Sequence, residues 1–251
     1  MNPLNYSSRI WLYAPITVFL AIAVAVMIHW HLAAGAFEKK LAKIKGRDAA
    51  PGIVLDWDSV RVGGFPFRLD ADFVNFSVHG AAARGPFVWK SQKFAVHALT
   101  YGRLKKVYEA AGPQHVEYSA IDGIHTADFL PGTMRGSSIA DGRGLARFDL
   151  DVVDAGGAAF TARRMQLHMR RDPDGSDLDI MIKGDGVAAG AAARDVQAYV
   201  TLSNASALAG LLQGAAFWPD AVRAWHGQGG EVTLTRGIHP DIAARLLTAL
   251  Y

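Results

Sequence analysis

The chain contains no cysteine, which excludes disulfide bonds, thiolate nucleophiles and cysteine-ligated metals. It also lacks the compact motifs that announce a reaction. No His-Glu-x-x-His, no Gly-x-Ser-x-Gly and no glycine-rich phosphate loop occurs in its 251 residues. The nine histidines are scattered, and His29 and His31 are too close in sequence to form an i, i+4 pair on a helix face. Neither sign of charge dominates: 26 basic residues face 23 acidic ones, for a net charge of +3. The basic residues are dispersed and not striped with aromatics, so a nucleic-acid partner is not expected.

The most informative absence is local. Ile10 to Trp30, "IWLYAPITVFLAIAVAVMIHW", holds no Asp, Glu, Lys or Arg. At ~1.5 Å per residue a helix of this length matches the ~30 Å hydrocarbon core of a bilayer. Trp11 and Tyr13 stand at one end and Trp30 at the other, where amphipathic rings suit the headgroup zones. Pro15 falls near the helix start, where it costs little. The rival is a cleaved signal peptide, with Ala34-Gly35-Ala36 as an A-x-A site, but the apolar stretch exceeds the ~7–15 residues of a signal h-region. An uncleaved anchor is therefore expected. The flanking Lys39, Lys40, Lys43, Lys45 and Arg47 would, by the positive-inside rule, keep the following domain in the cytoplasm. A short tail, one span and a β-rich domain is instead the form of an exported signal anchor, and export is the expectation.

Next comes "GAFEKKLAKIKGRDAA", with Phe37, Leu41 and Ile44 at i, i+4 and i+7, a short amphipathic helix ended by Gly46 and Pro51. It serves either to cap the sheet or to lie on the membrane surface with its lysines on anionic headgroups.

From Ile53 the period becomes two. Phe94, Val96 and Ala98 alternate with Lys93 and His97; Phe148, Leu150 and Val152 with Arg147, Asp149 and Asp151; Met165, Leu167 and Met169 with Arg164, Gln166, His168 and Arg170. Leu178, Ile180 and Ile182, then Val196, Ala198, Val200 and Leu202, continue the pattern. Strands with one dry and one wet face, joined by turns such as "RRDPDGSDLD" and "DAGGAA", make an antiparallel sheet. Ser206 to Trp225 predicts two short helices divided near Trp218-Pro219, followed by a strand over Glu231–Thr235 and a terminal helix in "HPDIAARLLTALY". The expected fold is α+β, mostly β: an N-terminal transmembrane helix, then a long, curved, mostly antiparallel sheet backed by a few helices. The expected divisions are 1–34 (tail and anchor), 35–52 (juxtamembrane helix and linker) and 53–251 (β-rich extracytoplasmic domain).

One stretch breaks the alternation: "VRVGGFPFRLDADFVNFSV", Val60 to Val78. Gly63-Gly64 relaxes φ restrictions and Pro66 removes a ladder donor, so a strand-to-strand corner is expected there. Phe67, Leu69, Ala71 and Phe73 then line one side, and Val74, Phe76 and Val78 the other, which calls for a bulge or twist near Phe73-Val74. Trp57 with Gly63, Gly64, Phe65, Pro66, Phe67 and Arg68 resembles the signature of a bacterial envelope family, the domain-of-unknown-function 2125 family. "KFAVHALTY" and "VRAWHGQGGEVTL" are similar to later blocks of that family. The resemblance implies an inner-membrane-anchored periplasmic β domain, more distantly like envelope sheets that hold or pass lipid. It implies no catalytic residues, and it gives the glycines, Phe65, Pro66, Phe67 and Arg68 a structural role.

Candidate chemistry is sparse. Asp172, Asp174 and Asp177 in "DPDGSD" have the spacing that opens a calcium loop, but the later bidentate acid is missing and the segment reads as a hairpin. Asp70 with Asp72, and Asp149 with Asp151, are paired carboxylates that exposed alternation also explains. Arg68 is expected either in water or paired with Asp70 or Asp72. Neither metal nor cofactor is expected, and no enzyme. The expected function is binding of lipid or another hydrophobic ligand along the apolar face of an open sheet, with Phe67, Leu69, Phe94, Val96, Phe148 and Leu150 as candidate lining. The alternative is a non-enzymatic scaffold or assembly subunit for another envelope protein. The expected partners are thus the bilayer and either a lipid or an envelope protein.

Overall fold

The computed structural model describes residues 7–82, 85–100, 104–120, 123–173, 175–190, 192–208, 210 and 217–236. It opens with one continuous helix, α1 (Ser7–Ile44), of 38 residues, about 57 Å long at 1.5 Å per residue. Its apolar portion is long and apolar enough to cross a membrane. The separate juxtamembrane helix expected over 35–52 is instead the C-terminal part of α1. Gly35 sits between alanines, where a helix tolerates it for ~1 kcal/mol. Ala34 and Leu41 on either side of that glycine are buried, Leu41 in the aromatic cluster of the domain. The sheet begins at Arg47, earlier than the expected boundary at 53.

Thirteen strands follow in one sheet: β1 (Arg47–Ala50), β2 (Ile53–Asp56), β3 (Ser59–Gly63), β4 (Arg68–Ala82), β5 (Gly85–Leu99), β6 (Lys105–Ala120) and β7 (Gly123–Leu130). Then come β8 (Thr133–Asp141), β9 (Gly144–Gly157), β10 (Thr161–Arg171), β11 (Leu178–Val187), β12 (Arg194–Leu202) and β13 (Val232–Arg236). β2 and β3 pair with successive parts of β4, so they are one strand interrupted at Trp57-Asp58. Likewise β7 and β8 share β6 and are interrupted at Pro131-Gly132. The result is an antiparallel meander of eleven strand positions, each beside its neighbour in sequence, as alternating strands and short turns dictate. Between β12 and β13 lie a 3₁₀ turn (Ala205–Leu208) and α2 (Trp218–Gly227), with Pro219 in its first turn. The expected terminal helix falls outside the described residues.

The break at Gly63–Pro66 is a hairpin turn joining β3 to β4, with Gly63 opposite Asp70 and a cis Phe65-Pro66 bond. Gly64 has φ +96, and a Cβ there would lie 2.8 Å from the Arg68 carbonyl oxygen; only glycine fits. The change of face occurs at Asn75, whose φ is +51. Val74 stays on the wet side, while Phe76 rejoins Phe73 in the core. No residue is inserted: Val74 pairs with Lys93 and Phe76 with Ser91 in unbroken register. The bulge lies one ladder further on, where β5 and β6 slip between Ser91 and Lys93.

Three buried clusters sit on one face. Leu41 of α1 packs on Trp57, Ala71, Phe73 and Phe76 at the N-terminal end, where the aromatic rings stack and cross at 4.5–6.4 Å. Leu208 and Trp225 pack on Leu178 and Leu202 at the C-terminal end. Between them Val152, Ala155 and Ala162 form a small middle cluster under Phe129, Met134 and Met165. Among the described residues, helices cover the two ends of this face and leave its middle uncovered.

Candidate functional site

The uncovered middle is an apolar trough of about 660 Å³. Strand register builds it from cross-strand rows. Phe94, Ala110, Met134, Val152 and Met165 are successive partners across β5, β6, β8, β9 and β10. Val96, Tyr108, Gly136, Leu150, Leu167 and Ile182 form the neighbouring row, extended onto β11. Partners in register point to the same side of a sheet, so period-two alternation in each strand becomes a continuous greasy surface. Ala110 and Gly136 leave the floor low where larger side chains would fill it. Trp89, Val116, Phe129 and Phe148 complete the walls. Tyr108 keeps its hydroxyl at the rim, 2.8 Å from Ser138 Oγ.

Of the expected lining residues, Phe94, Phe148 and Leu150 are in this wall. Val96 begins the second row but packs into the aromatic cluster beside α1 and does not line the trough itself. Leu69 shares the dry face but lies beyond the trough. Phe67 is not a groove residue: it precedes β4, in the hairpin turn, and is 58% exposed. Alternation alone extended the strand backwards through a turn. A second hollow of about 700 Å³ beside the β5–β6 bulge is more polar and wide open, and its His115 and Asp128 already pair at 2.7 Å.

One polar node at the trough's edge left no sequence signal. Gln114 is 1% exposed and Ser91 2%, yet both face the apolar side. Trp89 Nε1–H donates to Gln114 Oε1 at 3.1 Å, and Gln114 Nε2 donates to Ser91 Oγ and to the Gly112 carbonyl, both at 3.0 Å. Ser91 Oγ donates on to the Lys93 carbonyl at 2.8 Å. These bonds satisfy backbone groups freed by the bulge, so the amide pins the place where β5 and β6 change register.

The opposite face is wet and ordered by ion pairs. Asp70 lies 2.6 Å from Arg68 Nη2 and 2.8 Å from His97 Nδ1. Asp149 lies 2.7 Å from both Arg147 Nε and His168 Nδ1, and Asp151 takes Arg164 at 2.7 Å. For Asp70, burial opposes ionisation, but hydrogen bonds from His97 and Arg68 outweigh it and hold the carboxyl below the usual range. Asp149 behaves alike: burial opposes, and Arg147 and His168 prevail. Asp149 and Asp151, neighbours on one strand face, thus each take their own arginine. Ser137 Oγ donates weakly to Asp149 at 3.4 Å; it meets the carboxylate and not the imidazole, which is not the arrangement that activates a hydroxyl.

In the calcium-like turn, the Asp172 N–H donates to the Asp177 carbonyl at 2.9 Å. The Asp177 carboxylate accepts from Ser176 Oγ and the Asn204 N–H at 3.2 and 3.1 Å, which ties the hairpin to the 3₁₀ turn. Asp174 lies outside the described residues. Among those described, no group of three acidic or histidine side chains could hold a metal ion.

Residues 30–245 match the family model described as "Uncharacterized protein conserved in bacteria (DUF2125)". The chain belongs to this family. The match begins at Trp30 and therefore takes in the hairpin motif, the whole described sheet and α2. No curated protein and no solved structure matches the chain.

Proposed function

We propose that this member of the family is a single-pass protein of the bacterial inner membrane whose periplasmic sheet binds the acyl portion of a lipid in the trough. The observation that carries this reading is a nearly all-apolar middle, uncovered among the described residues, on a face whose two ends are sealed by helices. A volume of about 660 Å³ falls in the ~300–1,000 Å³ range of ligand sites. Each methylene transferred from water into such a site contributes ~0.8 kcal/mol, so a chain laying ~10 of them along the trough gains ~8 kcal/mol before ordering costs. The single apolar helix at the start supplies the attachment, and an open β domain after one short span is the form of an exported signal anchor.

The test uses the full chain, exchanged from detergent into amphipol and examined by native mass spectrometry with added phospholipid or fatty acid. One lipid retained per chain supports the reading. A bare chain at all lipid concentrations, or a co-purifying envelope protein with the trough empty of lipid, favours the scaffold reading instead. A phosphatase reporter active only outside the cytoplasm, fused after Tyr251, is expected to be active; silence overturns the orientation.

A further inference from the structure

The hairpin turn carrying the family motif is fastened to α1 at one place. Trp30 Nε1–H donates to the Arg68 carbonyl at 2.8 Å, and the Trp30 ring meets Phe65 edge-on at 5.5 Å. Trp30 also stands at the C-terminal end of the most apolar part of α1, eight residues before the first charged side chain, Glu38. If that stretch crosses a bilayer, an aromatic at its end marks the headgroup level. The fold thus sets the height of the β3–β4 turn against the membrane: the turn and the indole are at one level.

What the turn presents there is apolar. Phe65 is 53% and Phe67 58% exposed, and Leu104, at the start of the adjoining β5–β6 turn's return, is 58% exposed. The two turns are joined, since the Thr100 N–H and Oγ1 both donate to the Phe67 carbonyl. Both phenylalanines thus keep about half of their surface outside the core, beside the first residue of a 15-residue strand. The core is within reach for neither, because Gly64 and the antiparallel pairing of Gly63 with Asp70 hold the turn outward.

We propose that Phe65, Pro66 and Phe67, with Leu104 beside them, form a wedge that inserts into the leaflet reached by the C-terminal end of the α1 span. The inference rests on the reading of α1 as a membrane helix. It adds a second contact, which fixes the tilt of the sheet and brings the turn-side end of the trough, near Phe148, to the lipid surface. A helix alone would leave the domain free to rotate about its axis; helix and wedge together do not.

The absence of cysteine makes the test direct. Single nitroxide labels are placed by Phe67→Cys, by Val24→Cys in the apolar part of α1, and by Ile124→Cys, an exposed side chain at the opposite end of the sheet. The full chain is reconstituted in phosphatidylethanolamine–phosphatidylglycerol vesicles. Collision with oxygen, which concentrates in lipid, is then compared with collision with a water-soluble nickel chelate. The wedge predicts an oxygen-to-nickel ratio at position 67 that approaches that at 24 and exceeds that at 124. A ratio at 67 equal to that at 124, with 24 lipid-exposed, overturns the wedge and leaves the anchor standing. A water-exposed label at 24 overturns both.

Discussion

Leu150 lies in the middle of the trough wall, between Gly136 and Leu167 in register, and its replacement by aspartate puts a carboxylate where an acyl chain would rest. Two effects add. The leucine contact is lost, worth ~1.5–3 kcal/mol when fully covered, and a charge must be desolvated or protonated when lipid binds, a further cost of at least ~1–3 kcal/mol on protein scales. A combined loss of ~3 kcal/mol or more corresponds to about a hundredfold weaker binding at ~1.4 kcal/mol per decade. The unliganded fold suffers less, because Leu150 is only half-buried and the new carboxylate keeps water on its open side. The assay is titration of a fluorescent fatty-acid analogue against the amphipol-held chain, read by energy transfer from Trp89 at the trough's edge. Val74→Asp, on the wet face, is the control and is expected to bind as the parent does. Binding by a folded Leu150→Asp chain within about threefold of the parent, well short of the two decades expected, would mean that the acyl chain does not rest against Leu150.

Three further outcomes follow from the same structure. Asp70 and Asp149 have carboxyls held below the usual aspartate range by their histidine and arginine partners, so the stability they contribute is present above about pH 5 and lost as pH falls through their lowered folded values. Thermal melts from neutral to about pH 3 should show a steep acid loss that Asp70→Asn with Asp149→Asn flattens; parallel loss in both proteins contradicts the assignment. Gln114→Leu strands the Trp89 indole N–H and removes the bulge's ties, at ~1–3 kcal/mol or roughly 2–4 °C of melting temperature per kcal/mol, while Gln92→Leu next to the same bulge, on an exposed side chain, should stay within about 0.5 kcal/mol of the parent. Gly64→Ala forces a side chain into φ +96 and against the Arg68 carbonyl, so it should lower the melting temperature and release Trp30, seen as a red shift of its fluorescence; an unshifted melt would contradict that fit.

The fold was largely legible because a meander needs only local rules. Strands such as Phe148–Val152 and Met165–Met169 carry their own alternation, and the turns between them are short, so neighbours in sequence become neighbours in space. The trough was half legible. Phe94, Phe148 and Leu150 follow from period two, but nothing in a single strand says that α1 and α2 would cap the ends of the face and, among the described residues, leave the centre bare. Phe67 misled because an alternating pattern does not show where a strand begins; the hairpin turn at Gly64 takes that residue out of the sheet. Asn75 moved the change of face by adopting positive φ without an inserted residue, a conformation open to asparagine but not announced by it. Gln114 gave no signal at all, since a glutamine within a strand reads as exposed until a bulge gives its amide backbone partners to hold.

Whether lipid lies on the apolar side of the sheet, as proposed, is read out by photochemical labelling in intact membranes. Cells are fed a fatty acid carrying a diazirine, irradiated, and the purified chain is mapped by tandem mass spectrometry. Adducts are expected in α1 and, separately, at trough residues such as Phe94, Met134, Leu150 and Met165. Adducts confined to α1, with the trough unlabelled, would contradict the proposal.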